Sequence, residues 1–93
     1  MSVYFIANVK IHNQNEFDKY LETVDSTIEN FGGKYLSVDK NPEIIEGKWN
    51  YSRFVLLEFP DKKTLKEWYN SGEYQAILKY RLSAAESDTI IAG

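Results

Sequence analysis

Residues 3–11, VYFIANVKI, alternate strictly, with Val3, Phe5, Ala7, Val9 and Ile11 on one face and Tyr4, Ile6, Asn8 and Lys10 on the other. The first face is wholly apolar and the second mixed, which predicts a central strand partly covered on both sides. The period then lengthens: Phe17, Tyr20, Leu21, Val24, Ile28 and Phe31 form one helical stripe. Asn13 stands ready as N-cap with Glu16 at capping-box spacing, and Gly32–Gly33 end the helix by taking the left-handed conformation without penalty. A short strand is predicted over Lys34 to Val38. Asp39 to Pro42 breaks it, Glu43 to Glu46 resumes an extended path, and Gly47 to Asn50 turns the chain. Tyr51 to Phe59, YSRFVLLEF, is the second strong strand, setting Tyr51, Arg53, Val55, Leu57 and Phe59 against Ser52, Phe54, Leu56 and Glu58. Pro60 and Asp61 stop it and cap a helix with Leu65, Trp68 and Tyr69 inward. Ser71–Gly72 interrupts that helix. A further turn or two from Glu73 buries Tyr74, Ile77, Leu78 and Leu82, and Asp88 to Ala92 closes the chain as a last strand.

The order strand, helix, strand, strand, helix, strand over residues 1–93 predicts one α+β domain of ferredoxin-like βαββαβ form. Each right-handed crossover skips a strand, giving a four-stranded antiparallel sheet with the helices on one face. The other face is left bare, and neither central strand has a convincingly polar side. An exposed apolar sheet face of that size calls for a partner, and a homodimer packing sheet on sheet is the simplest closed answer. Seven Tyr, five Phe and two Trp in 93 residues strengthen the point, since so many large rings need a core, a cavity or a partner to cover them.

Composition removes several function classes. With no cysteine, disulfides, thiolate nucleophiles and cysteine-based metal sites are excluded. A net charge of −3 with acids and bases interspersed argues against nucleic acid, whose binders carry a basic face. No run reaches membrane-spanning length and no export signal opens the chain, so a cytoplasmic location is the expectation. Phosphate-loop, dinucleotide, nucleophile-elbow and HExxH patterns are absent. Neither a metal nor a cofactor is therefore expected, and any catalysis would rest on an acid or base and a shaped apolar pocket.

Several segments resemble the bacterial family known as domain of unknown function 1330, within the dimeric α+β barrel superfamily. They are YFIANVKIHNQNEFDKY, ENFGGKYL, RFVLLEFPDKKTLKEWYNSGEYQ and KYRLSAAESDTIIAG, which together span nearly the whole chain. The resemblance implies a ferredoxin-like fold and a dimer with packed sheets. It implies no reaction: relatives in the wider superfamily include cofactor-independent monooxygenases, muconolactone isomerases, haem-degrading enzymes and dye-decolourising peroxidases, and fold does not choose among them.

His12, the only histidine, sits where the first strand meets the first helix and is the one side chain whose ordinary pKa suits proton transfer near neutrality. The plainer reading is an exposed loop histidine. Glu58, between Leu57 and Phe59, reads either as a carboxyl with a raised pKa serving as acid or base, or as a structural ion pair. Arg53 can bind an anionic group through its planar fork, or make an interface salt bridge. Tyr20, Trp68 and Tyr74 either line a pocket between helices and sheet or fill the core, and Arg81 either faces the same cleft or forms a salt bridge near the last turn. Trp49, in the loop GKWNY, is expected to cover a partner subunit or a pocket mouth.

Three readings compete on this basis. One is a cofactor-independent isomerase or monooxygenase acting on a small hydrophobic or aromatic acid, with His12 or Glu58 moving the proton and Tyr20, Arg53, Trp68, Tyr74 and Arg81 binding substrate. Another is a dimeric ligand-binding or stress-associated module without turnover. A purely structural dimer is the third, plainest case. A pocket holding Glu58 with His12 or an arginine would favour the enzyme.

Overall fold

The computed structural model describes residues 1–93. The elements run β1 (Val3–Ile11), α1 (Gln14–Asn30), β2 (Lys34–Asp39), β3 (Arg53–Phe59), α2 (Lys62–Asn70), α3 (Gly72–Ala84) and β4 (Ala85–Ala92). The four strands form one sheet in the order β2-β3-β1-β4, with every neighbouring pair antiparallel. This is the ferredoxin-like arrangement. No helix is long and apolar enough to cross a membrane.

Alternation in β1 decides the layers. Val3, Phe5, Ala7 and Val9 are buried beneath the helices, opposite Phe59, Leu57, Val55 and Arg53 of β3. They pack on Phe17, Tyr20, Val24 and Ile28 of α1, on Leu65 and Trp68 of α2, and on Tyr74, Ile77 and Leu78 of α3. The opposite face, with Tyr4, Ile6, Phe54 and Leu56 half-buried and Ile90 exposed, has no helix over it.

Local chemistry sets the helix ends. Asn13 Oδ1 accepts from the Glu16 amide at 3.1 Å, and Asp61 Oδ1 accepts from the Thr64 amide at 2.7 Å. Gly32 ends α1 at φ +74°. Gly33 is needed for a different reason: a Cβ there would lie 2.6 Å from the Phe59 ring and 2.8 Å from Ile28 Cγ2, so the α1–β2 turn presses directly on the core. Ser71 joins α2 to α3. Its hydroxyl donates to the Trp68 carbonyl at 2.7 Å and accepts from the Tyr74 amide at 3.2 Å, so one residue caps both helices.

The structure departs from the sequence-based expectation in four places. Residues 43–46 form no strand, and Ile44 and Ile45 lie exposed in a long loop. β3 starts at Arg53 rather than Tyr51: Ser52 still donates its amide to the Val9 carbonyl at 2.8 Å, but its Oγ accepts the Ile11 amide at 3.0 Å, replacing the ladder with a side chain. β4 starts at Ala85, directly on the end of α3. In α3 itself, which runs for 13 residues, Leu82 is 63% exposed and Arg81 takes the inward position, 5% exposed. Residues 74, 77, 78 and 81 make the helical stripe, so the periodicity held while the identity of its last member did not.

Candidate functional site

The space between helices and sheet is not filled. A narrow inner chamber of about 30 Å³ lies among Phe17, Tyr20, Tyr35, Arg53, Leu57 and Arg81. That is room for one or two waters or for the acid head of a ligand, not for its body. Beside it lies an outer chamber of about 330 Å³, where Gln14, Asp18, Lys40 and Ser52 reach the solvent side. Leu21 and Arg53 line both chambers and form the waist between them.

Arg81 is the decisive group. The molecule's two ion pairs are Lys19–Glu16 and Lys34–Glu58, so this buried guanidinium has no carboxylate partner. It sits 5.8 Å from the centroid of the Tyr20 ring, a cation–π contact that softens but does not replace an anion. Burial pulls its pKa down, and the phenol oxygens of Tyr74 and Tyr20 more than offset that, so the group stays charged. A buried charge is ordinarily paired. Here only phenol oxygens, chiefly that of Tyr74, stand near its donors.

Tyr20 and Tyr74 stand with it. Their hydroxyl oxygens are 2.8 Å apart in a buried hydrogen bond. Of their two protons one is spent on the mutual bond, which leaves one to donate onward. Burial pushes the Tyr20 phenol well above its ordinary pKa, helped by Tyr74 and opposed by Arg81. Burial likewise raises Tyr74, against the pull of Arg81. Both phenols are therefore neutral donors near pH 7 and not bases. Tyr35 closes the chamber from the edge strand β2, donating to Asp25 of α1 at 2.8 Å. Burial and that carboxylate raise its pKa strongly. Nothing in the short KYLSV run singled Tyr35 out, because an edge strand has no partner on one side to fix which way its rings turn.

Of the residues singled out by sequence, Tyr20, Arg53 and Arg81 line the inner chamber, and Tyr74 stands behind Tyr20. Trp68 does not join them. It is fully buried, 4.2 Å from the Tyr74 ring, 5.1 Å from Phe59 and 5.2 Å from Phe5, and its indole N–H donates to Thr27 Oγ1 at 3.1 Å. Its role is core packing. Glu58 lies on the opposite, helix-free face of the sheet, where its carboxylate meets Lys34 at 3.2 Å. The strand period requires this, since Glu58 is odd-one-out to Leu57 and Phe59. His12 has an exposed side chain, and its backbone amide ties to the Ala84 carbonyl at 2.9 Å. The expected pocket combining Glu58 with His12 or an arginine is thus not formed.

Two further features lie outside the chambers. An open groove of about 460 Å³ lies between α2 and β4, lined by Phe5, Tyr69 and Ile91. Its one charged residue, Lys66, is exposed, so it offers shape without an anchored recognition group. Trp49 packs on Tyr51 at 5.2 Å, and the Tyr51 hydroxyl donates to Asp88, which lies opposite Asn8 on the helix-free face. Trp49 Nε1 and Asn8 Oδ1 are both buried without a hydrogen-bond partner.

Residues 2–93 match the family model of the domain of unknown function 1330. The chain belongs to that family. No protein of curated function matches it. Among solved structures it is similar to RPA0582 of Rhodopseudomonas palustris, a protein of unknown function, at 16% identity and TM-score 0.82, covering 97% of this chain and 79% of that one. A dimeric ferredoxin-like protein of unknown function from Jannaschia sp. CCS1 aligns at 11% identity and TM-score 0.77, covering 100% and 99%. SnoaB, a cofactor-independent oxygenase from Streptomyces nogalater, aligns at 11% identity and TM-score 0.74, covering 99% and 91%. At these identities the likeness is one of fold.

Proposed function

We propose that this member of the family binds a small organic acid between helices and sheet, with its acid group on Arg81. The single observation that carries this is a buried guanidinium with no carboxylate partner, facing a chamber beside two neutral phenols. An acid head there would pair the charge and accept the spare phenol proton. The same donors would stabilise negative charge developing on a substrate oxygen, as in enolisation, where pre-set donors in a dry site are worth most. That is the chemistry of a cofactor-independent isomerase or oxygenase. SnoaB, an oxygenase on the same fold, is consistent with it. A second reading, binding without turnover, is favoured by one observation: no histidine or carboxylate lines the inner chamber to take a proton.

Calorimetric titration with benzoate tests the binding. Heat of binding is expected from the native protein and none from Arg81→Met; no binding by the native protein would refute the proposal. Exchange of an enolisable acid's α-proton in heavy water, and oxygen uptake, then separate enzyme from module. The reading also includes a cytoplasmic homodimer through the helix-free sheet face. Its half-buried Tyr4, Ile6, Phe54 and Leu56 are what a second copy would cover. Light scattering at micromolar concentration should give twice the chain mass, and a monomer would contradict it.

A further inference from the structure

A second guanidinium faces the same compartment. Arg53 of β3 stands at the waist shared by the two chambers, 5.8 Å from the centroid of Phe17. Phe17 packs on Tyr20 at 5.6 Å, and Tyr20 carries Arg81 at 5.8 Å. The two arginines therefore flank one aromatic pair of α1, one arginine at each end. Neither has a carboxylate within ion-pair distance. Of the acids that α1 brings to this side, Asp25 accepts from the Tyr35 hydroxyl, while Asp18 accepts from Gln14 Nε2 on the outer chamber's own wall, each at 2.8 Å. Lys40 adds a further positive charge on the outer wall.

Resting on the reading of Arg81 as the acid-binding group, the geometry points to a dianionic ligand: a small dicarboxylate with an apolar body, one acid group on Arg81 in the inner chamber and the other on the Arg53 side of the waist. The volumes fit this division. The inner chamber admits only an acid head, while the outer one holds a ring or short chain. The discrimination follows from desolvation. A monoacid of the same size would push its apolar end against Arg53, stripping water from a guanidinium without replacing it. A second carboxylate meets that guanidinium with a charge-assisted hydrogen bond instead. Leu21, the other residue of the waist, contacts the apolar body and adds no polar demand of its own.

The test compares isophthalate with its monomethyl ester, which has a similar shape and one charge fewer, by calorimetry at pH 7.5 on the native protein and on Arg53→Gln, Arg53→Lys and Arg81→Met. Isophthalate is expected to bind the native protein at least tenfold more tightly than the ester. Arg53→Gln should abolish that preference, weakening isophthalate and strengthening the ester, and Arg53→Lys should keep part of it. Arg53 is only half-buried, so these variants do not threaten the core. Equal binding of the two ligands by the native protein, or a preference that survives Arg53→Gln, overturns the dianion while leaving Arg81 as acid binder if Arg81→Met weakens both. Affinities indifferent to Arg81→Met, or no binding of either ligand by the native protein, overturn the underlying reading and this inference with it.

Discussion

Replacing Arg81 by methionine should make the ligand-free protein more stable, the opposite of what a buried, well-packed side chain usually predicts. Arg81 is 5% exposed and lacks an ion-pair partner, so the folded state carries the desolvation cost of a charge without the usual compensation. What offsets it is the Tyr20 ring, about 0.5–2 kcal/mol for a cation–π contact, and the nearby phenol oxygens. Exchanging buried charges for apolar side chains of similar volume is often neutral or stabilising by about 1–4 kcal/mol. Methionine fills the same length of stem and adapts to an irregular space. Allowing for the lost contacts leaves a gain of about 1–2 kcal/mol, at the lower end of that range. For a domain of this size each kcal/mol is worth roughly 4–8 °C in melting temperature. Thermal unfolding followed by near-ultraviolet circular dichroism, at fixed protein concentration in a buffer free of organic acids, should show the rise. Adding benzoate should then reverse the order, since about 100 Kd of ligand adds about 2.7 kcal/mol to a protein that binds it and nothing to one that does not. A variant that melts well below the native protein without ligand would show that Arg81 is structural, and the argument for an acid site would fall.

Three other outcomes check the same structure. Thr27→Val leaves the Trp68 indole N–H buried without its acceptor and should cost about 1–3 kcal/mol, whereas Thr27→Ser, which keeps the hydroxyl, should lose less in a urea titration; equal losses would deny the bond. Gly33→Ala drives a methyl group into Phe59 and Ile28 and should cost about 1–3 kcal/mol of overpacking, and an unchanged denaturant midpoint would mean that the turn can yield. The raised pKa values of Tyr20, Tyr35 and Tyr74 set a pH dependence: the folded state holds protons that the unfolded state releases above about pH 10, so their contribution is complete below that pH and is lost as pH rises through the folded values. Stability measured from pH 8 to 11.5 should fall on the alkaline limb, less steeply in Tyr20→Phe, and a flat profile would contradict the shifts.

The sheet and its layers were legible because β1 alternates without an error over nine residues, and because Asn13, Asp61 and the glycine pair punctuate the helices with side chains that have few other uses. The site was legible only in part, for an identifiable reason. Tyr20 lies on a clean apolar stripe, so its inward direction followed from its position. Arg81 lies at the stripe position of α3, seven residues after Tyr74, but a charged residue is discounted when a core is read from hydrophobicity, and Leu82 was taken in its place. Glu58 shows the converse. The two-residue period already set it on the face away from Leu57 and Phe59, and only its apolar neighbours in sequence made it look enclosed. Neighbours in a strand are on opposite sides of a sheet, so their hydrophobicity describes someone else's surroundings.

The shared cap at Ser71 bears on how firmly Arg81 is held. Ser71, at φ −65° and ψ 151°, fixes the start of α3, and Ala84 fixes its end: the Ala84 carbonyl accepts the His12 and Asn13 amides at 2.9 and 3.1 Å, and the chain passes straight into β4. Arg81 lies ten positions after Ser71, about 15 Å at 1.5 Å per residue, and three before Ala84. The helix is a beam clamped at both ends, so the depth of the guanidinium is set by the sheet and the first helix rather than by a swing of its own rod.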